Sequence, residues 1–456
     1  LSTGPAHALL ADFNGDRRPD MLISNSGADA LLLFPGLADG EFGTAQVITT
    51  GDGPEGMAAG DFDADGDADL AVANRSAGTI GLYLNGGTAL PSTASATLTT
   101  RPGPTSLLAA PLKSGDTCAA LVALDQGLPT CSLGTNDGLF CRIDADCPGG
   151  GTCSSAAADV GMIEVFTNPA CVTGGALGLT PTTTIPLGAG HRPRGGVFAD
   201  LDGDLNTDLA VADFTGGQVL VYAGDGTGVF SPRTPLGGLS SPSALALLNY
   251  DPDTGSVPDL AVLSYVDNRV DLFHNDSLPG TLTFSAAPTN PASPWKNIVA
   301  MSIFPADASV GQDLVMLNST PPRLDVLSGT GTTFRVLPPE PLIEVTSASG
   351  MAVADLRQDG ILDLLVLDGP GNKAEVLTTE PTGVQIELGA FSVGNNPVSA
   401  AIEPLVLHGT DYDKDGVLNG ADNCPTRYNP PDCPAYDQAV HPECFLDTPC
   451  VAQQTP

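Results

Sequence analysis

Residues 57–74 read MAAGDFDADGDADLAVAN, and this stretch decides the fold. A short apolar run ends in an Asp-rich loop, and Asp-Leu then opens a second apolar run. The phrase returns as ALLADFNGDRRPDMLISN at 8–25 and as GVFADLDGDLNTDLAVAD at 196–213. Looser copies are ALALLNYDPDTGSVPDLAVLS at 244–264 and GMAVADLRQDGILDLLVLD at 350–368. Two more keep the apolar runs and lose the acids: SLLAAPLKSGDTCAALVALD at 106–125 and VAMSIFPADASVGQDLVMLN at 299–318. The loops open at residues 12, 61, 111, 200, 249, 305 and 355, in steps of 49, 50, 89, 49, 56 and 50. A period near 50 with four short strands per unit marks the blades of a β-propeller. The expected fold is therefore all-β: a seven-bladed β-propeller of four-stranded antiparallel blades over residues 1–395. The one long step places a cysteine-rich insertion at 127–160 in blade 3. Residues 396–456 form a separate loop-rich tail that begins with a spare apolar strand at Pro397–Leu407.

Gly224, Gly226 and Gly228 make a G-x-G-x-G after an apolar run. PGLADGEF at Pro35 and SGTGTTF at Ser328 hold the same place in their own repeats. A turn between third and fourth strands accounts for all three, so the glycines are read as turn formers and not as a nucleotide site.

The acidic loops have the spacing of a cation site. In DFDADGDAD, Asp61, Asp63, Asp65 and Asp69 stand at positions 1, 3, 5 and 9, with the carbonyl of Asp67 at position 7 and Gly66 at the turn. Calcium takes six to eight oxygens in irregular geometry, which such a loop supplies. The first loop offers Asp12, Asn14, Asp16, the Arg18 carbonyl and Asp20, with Arg17 at the turn position. The fourth offers Asp200, Asp202, Asp204, the Asn206 carbonyl and Asp208, with Leu205 at the turn. The seventh keeps Asp355, Asp359, the Ile361 carbonyl and Asp363, but Arg357 stands at position 3, where its guanidinium can replace a cation. The fifth holds Asn249, Asp251, Asp253 and Asp259 with two inserted residues, and the third and sixth are expected to be empty. Aspartates also serve as plain turn formers. Several carboxylates within nine residues repel one another unless a cation neutralises them, and that favours Ca2+.

This unit resembles the FG-GAP repeat of integrin α-subunit propellers and of many secreted bacterial proteins. The resemblance covers residues 1 to about 395. It implies calcium in the loop between the first and second strands wherever the acids match, and it does not choose among adhesion, lectin, lyase and scaffold roles. In the tail, DYDKDGVLNGADNCP resembles a thrombospondin type 3 repeat. Asp411, Asp413, Asp415, the Val417 carbonyl, Asn419 and Asp422 fall at EF-hand positions 1, 3, 5, 7, 9 and 12, with Gly416 at 6.

Composition narrows the function. The 456 residues include 53 acidic and 17 basic side chains, a net charge of −36, which excludes nucleic acid and anionic membrane surfaces as partners. No apolar run approaches the roughly 20 residues of a membrane span, so no membrane insertion is expected. The opening LSTGPAHALL has no signal-peptide pattern and is read as a mature, processed start. Cys118, Cys131, Cys141, Cys147, Cys153 and Cys171 form one set and Cys424, Cys433, Cys444 and Cys450 another. Even counts in Gly/Pro-rich stretches fit disulfides within each set and an extracellular site, with the pairing open. Asn74, Asn275 and Asn318 head Asn-x-Ser/Thr triplets, whose use depends on the host. No H-E-x-x-H, G-x-S-x-G or phosphate loop occurs, and the five histidines are scattered, so a non-enzyme is expected. On the face opposite the acidic loops, His191, Arg192, Arg194 and Trp295 are candidate ligand contacts. The expected role is a secreted, calcium-stabilised structural or adhesive surface protein. It would contact copies of itself or other surface proteins and assemble through its tail into a filament. The alternative is a glycan-binding, lectin-like propeller, with a polysaccharide lyase as its enzymatic extension.

Overall fold

The second strand of each repeat is apolar throughout because both of its faces are covered. Every residue of Asp20–Asn25, Asp69–Asn74, Asp208–Asp213, Asp259–Ser264 and Asp363–Asp368 is buried. A strand pressed between two neighbouring sheets has no solvent side, so the usual apolar–polar alternation vanishes. Only its two ends reach polar surroundings, and those ends carry Asp, Asn or Ser.

The computed structural model describes residues 5–392 apart from 27, 101–102, 128–129, 133–151, 155–159, 169–177, 249–256, 287–294, 296, 304–312, 330–333, 337–339, 343–344, 346, 359–361, 369–370, 372 and 380–384. Within it seven antiparallel sheets follow one another, each a simple meander. Blade 2 consists of Pro54–Gly60, Asp69–Asn74, Thr79–Tyr83 and Ala96–Thr99. The other blades run from Pro5 to Thr49, Pro104 to Ala189, Pro193 to Gly237, Pro242 to Ala286, Ile298 to Pro341 and Ala348 to Ser392. Blades 4 and 6 add a two-residue strand, Leu236–Gly237 and Glu340–Pro341, beside their third strands. The insertion of blade 3 leaves between Ala119–Asp125 and Val160–Thr167. In it a short pair, Thr130–Ser132 with Thr152–Ser154, sets Cys131 opposite Cys153.

First strands of successive blades touch one another around the ring, and Ala348–Ala354 meets Pro5–Ala11 to close it. Among the described residues, blades 1 and 7 are each built from one continuous stretch, with no strand exchanged between them. Side-chain packing does the work instead. Met21, Ile23, Leu32 and Phe34 of blade 1 share a core with Leu356, Leu365, Leu367 and Val376 of blade 7. Comparable cores fill the other blade-to-blade seams; Phe62, for example, packs with Leu107, Leu121 and Phe166. The Gly224–Gly228 stretch is a turn between third and fourth strands, with Gly226 and Gly228 at φ 73° and 92°.

Three residues that head glycosylation triplets prove to be interior. Asn74, Asn275 and Asn318 are 2%, 5% and 1% exposed. The Asn74 amide donates to Thr79 Oγ1 (3.2 Å) and its carbonyl accepts from the Gly51 amide (3.1 Å). Expression in a eukaryotic secretory host should leave all three bare, and a mobility shift on endoglycosidase treatment that maps to any of them would contradict this packing.

Candidate metal centre

The loops between first and second strands fold alike in blades 1, 2 and 4, and the first aspartate organises each one. Asp61 accepts the amides of Ala64 (2.6 Å) and Gly66 (3.0 Å). Asp200 accepts those of Gly203 (2.7 Å) and Leu205 (2.9 Å), and Asp12 those of Gly15 (2.8 Å) and Arg17 (2.6 Å). Positions 3 and 5 each cap the amide two residues on: Asp63 to Asp65 and Asp65 to Asp67, at 3.2 and 3.0 Å. Asp202 and Asp204 repeat this at 3.1 and 2.8 Å, Asn14 and Asp16 at 2.9 and 2.8 Å. Loops coiled this way need positive φ at position 6, found at Arg17 (70°), Gly66 (94°) and Leu205 (73°). Position 4 is left-handed as well, at Gly15, Ala64 and Gly203, which the acid spacing alone did not reveal.

Coiling draws the carboxylates of positions 1, 3 and 5 together. Asp61, Asp63 and Asp65 place one oxygen each within 4.8 Å of one another, and so do Asp200, Asp202 and Asp204. Asp202 is 1% exposed and its Oδ2 receives no hydrogen bond. Burial raises the pKa of Asp63, and the adjacent Asp65 raises it further. Burial also raises Asp202, with the Gly280 amide opposing and Asp204 adding to it. Crowded, desolvated like charges of this kind are what a hard divalent cation relieves, so the residues present fit calcium. In the first loop Asn14 replaces one acid, leaving a neutral oxygen at position 3.

The aspartates at position 9 are anchored by backbone amides. Asp69 is fully buried; its Oδ2 accepts the Phe62 amide (2.8 Å) and its Oδ1 the Asn85 amide (2.7 Å). Asp208 holds Leu201 and Gly224 in the same way at 2.9 Å each, and Asp20 holds Phe13 (2.9 Å) and Gly36 (2.8 Å). Burial pushes Asp69 to about 6 and Asp208 to about 7, although their backbone hydrogen bonds pull the other way. These carboxylates tie the acidic loop to the end of the third strand, a role the spacing did not announce.

Loop 7 is built differently. The Arg357 guanidinium pairs with Asp363 at 3.3 Å, so a cationic side chain sits where position 3 would supply an oxygen. Loop 3 has no acid trio. It lies against loop 4, where Ser114 donates to the Leu205 carbonyl (2.8 Å) and Thr207 to the Leu112 carbonyl (2.8 Å). Asp359, Ile361, Asn249, Asp251 and Asp253 lie outside the described residues, as do Asp411, Asp413, Asp415, Val417, Asn419, Asp422 and all four tail cysteines.

On the opposite face, Arg194 stacks on Phe214 at 3.7 Å, and Phe214 leans on Tyr265 at 6.1 Å. His191 Nδ1 meets Asp213 at 2.5 Å, and the same carboxylate accepts the Arg192 amide at 3.3 Å. Arg75 pairs with Glu55 at 2.9 Å. Trp295 is 3% exposed within the core between blades 5 and 6, so it belongs to packing and not to a ligand surface.

An FG-GAP-like repeat family matches residues 12–72, which span the first two acidic loops. No curated protein matches the chain by sequence. Solved structures share its fold at low identity. A candidate 6-phosphogluconolactonase from Bacteroides uniformis is 11% identical at TM-score 0.52, with 84% of this chain and 95% of that one covered. A second, from Bacteroides fragilis, is 11% identical at 0.52, covering 87% and 97%. A protein from Lactobacillus plantarum is 13% identical at 0.50, covering 85% and 96%. The expectation of a non-enzyme is corrected by these likenesses: the fold is shared with proteins assigned to catalysis, so the lack of familiar sequence motifs does not exclude it.

Leu205 tests the loop geometry directly, because it is 63% exposed and left-handed, a conformation that costs an L-residue about 1–2 kcal/mol. Leu205→Gly should stabilise the fold by about 1 kcal/mol in chemical denaturation. A destabilised variant would mean that the loop does not coil as described.

Proposed function

We propose that the chain is a secreted propeller scaffold, stabilised by calcium at loops 1, 2 and 4, that serves as a structural or adhesive surface protein. The observation that carries this reading is the acid trio repeated in register, most fully in Asp200, Asp202 and Asp204 with the orphaned Asp202 oxygen. Asp12, Asn14 and Asp16, then Asp61, Asp63 and Asp65, then Asp200, Asp202 and Asp204 would hold the ions, with the carbonyls of Arg18, Asp67 and Asn206 at position 7. Bound calcium would neutralise the loops and fix one face of the ring. Partners would be copies of itself or other surface proteins, with the tail from 396 as the linking segment. Disulfides are part of the same extracellular reading. Cys118 would be bridged, and residues opposite each other in an antiparallel pair, as Cys131 and Cys153 are, have Cα atoms about 4.5–5.5 Å apart, within disulfide reach.

A second reading, an acidic-ligand or glycan surface, draws on the other face. There Arg194, stacked on Phe214, lies near Arg75 and Arg192 in a strongly acidic protein.

Calcium should raise the melting temperature by many degrees over excess chelator, and Asp202→Asn should remove part of that gain. Identical melting profiles with calcium and with chelator would overturn the calcium reading. For assembly, full-length protein in calcium should be larger in solution than a form lacking residues 396–456. Equal, monomeric masses would remove the self-association part of the proposal.

A further inference from the structure

One position in each blade lies where the third strand leaves the ladder beside the metal loops. It is two residues past the partner of the first large apolar residue of the second strand. Those pairs are Met21 with Phe34, Leu70 with Tyr83, Leu121 with Phe166, Leu209 with Tyr222, Leu260 with Phe273, Leu314 with Leu327 and Leu364 with Leu377. From blade 1 to blade 7 the position is therefore Gly36, Asn85, Asn168, Gly224, Asn275, Gly329 and Thr379.

Each of the three asparagines reaches into the preceding blade. Asn85 Nδ2 donates to the Phe13 carbonyl at 2.9 Å, Asn168 Nδ2 to the Phe62 carbonyl at 3.1 Å, and Asn275 Nδ2 to the Leu201 carbonyl at 2.8 Å. Phe13, Phe62 and Leu201 share one place, position 2 of loops 1, 2 and 4, between the oxygens of positions 1 and 3. The amide of each of these residues is already held by the loop's own buried aspartate. The position-2 peptide is thus clamped from both sides, by its own blade and by the next. Asn85 and Asn275 also donate to their own blade's Ala68 and Pro258 carbonyls, at 3.1 and 2.7 Å.

The asparagine follows the neighbour's loop and not its own. Blade 3 has no acid trio of its own, yet it carries Asn168, and the loop before it is complete. Blade 4 has a complete loop but carries Gly224, and the loop before it has no acid trio. Blade 1 repeats the blade 4 pattern with Gly36, preceded by the Arg357 loop. At these two glycines an added Cβ would meet the Thr207 carbonyl at 2.1 Å and the Pro19 carbonyl at 2.4 Å, so the backbone closes up where no amide bridges it.

We infer that Asn85, Asn168 and Asn275 are positioning residues for cation binding, each presetting the loop of the preceding blade across the blade-to-blade seam. The inference rests on the calcium reading of those loops. It makes each site a two-blade device: the oxygens come from one blade and the clamp that spaces positions 1 and 3 comes from the next. It also separates loop 5 from loops 1, 2 and 4, because the blade after loop 5 has Gly329. Groups that orient a metal's ligands without touching the metal are commonly worth 10–100-fold in metal affinity.

The test is Asn168→Gly in the full chain, read by calcium titration calorimetry and by melting in calcium and in chelator, with Asn85→Gly as a second variant. Glycine is compatible with the fold at this position, as blades 1 and 4 show. The expected result is a loss of about tenfold or more in affinity at one site, with the calcium-dependent rise in melting temperature reduced. Melting in chelator should change far less. Unchanged calcium affinity in both variants, or an equal drop in melting temperature with and without calcium, would overturn the positioning role while leaving the calcium reading intact. A wild-type chain that binds no calcium would overturn both.

Discussion

The ring depends on a carboxylate buried at the start of the second strand. A strand sandwiched between two blades must be apolar, yet the peptide groups of the two loops at its end still need partners. Asp20, Asp69 and Asp208 resolve this by accepting one amide from the acidic loop and one from the end of the third strand. One side chain then joins three strands of a blade at a point that water does not reach. Its cost is a desolvated charge, visible in the raised pKa of Asp69 and Asp208. A calcium ion beside the loop would lower that cost, which couples the metal to the blade and not merely to the loop surface.

Loops without a full oxygen set show how the same frame is kept by other means. In blade 7 the Leu356 amide still binds Asp363, while Arg357 supplies the positive charge from within the chain. Blade 3 lacks the buried aspartate altogether, with Ala120 in its place, and leans its loop on loop 4 through backbone hydrogen bonds. Gln358 of loop 7 likewise donates to the Arg17 carbonyl of loop 1 across the closure. Among the described residues, loops 3 and 4 and loops 7 and 1 are thus joined directly across their seams.

Much of this was legible in the residues because the repeat is a physical unit. The unbroken apolar runs such as DLAVAN signalled strands covered on both faces, and the 49- to 50-residue steps set the number of blades. Acid spacing located the three loops that draw their oxygens together. What stayed hidden were functions that depend on contacts far apart in sequence. Asp69 looks like one more member of an acidic series, and only the amides of Phe62 and Asn85 reveal its structural role. Trp295 looked like a rim residue until the seam between blades 5 and 6 enclosed it. The asparagines of the position 85 series carry no local signal, since the loop each one serves lies 72 to 106 residues earlier in the chain.

That separation bears on how a propeller without strand exchange stays closed. Apolar packing between blades is strong but poorly directional, and by itself it does not fix one blade's loops relative to the next. An amide that bridges to a neighbour's carbonyl is directional, and when buried it is costly to break. Placing three such bridges beside loops that gather acids concentrates geometric control where charge repulsion would otherwise spread the chain. In blades 2, 3 and 5 the seam is then a hydrophobic contact that also fixes the position-2 peptide of the acidic loop before it. A cation held by such a loop would draw on the same hydrogen bonds that join the blades, so strengthening either one would strengthen the other.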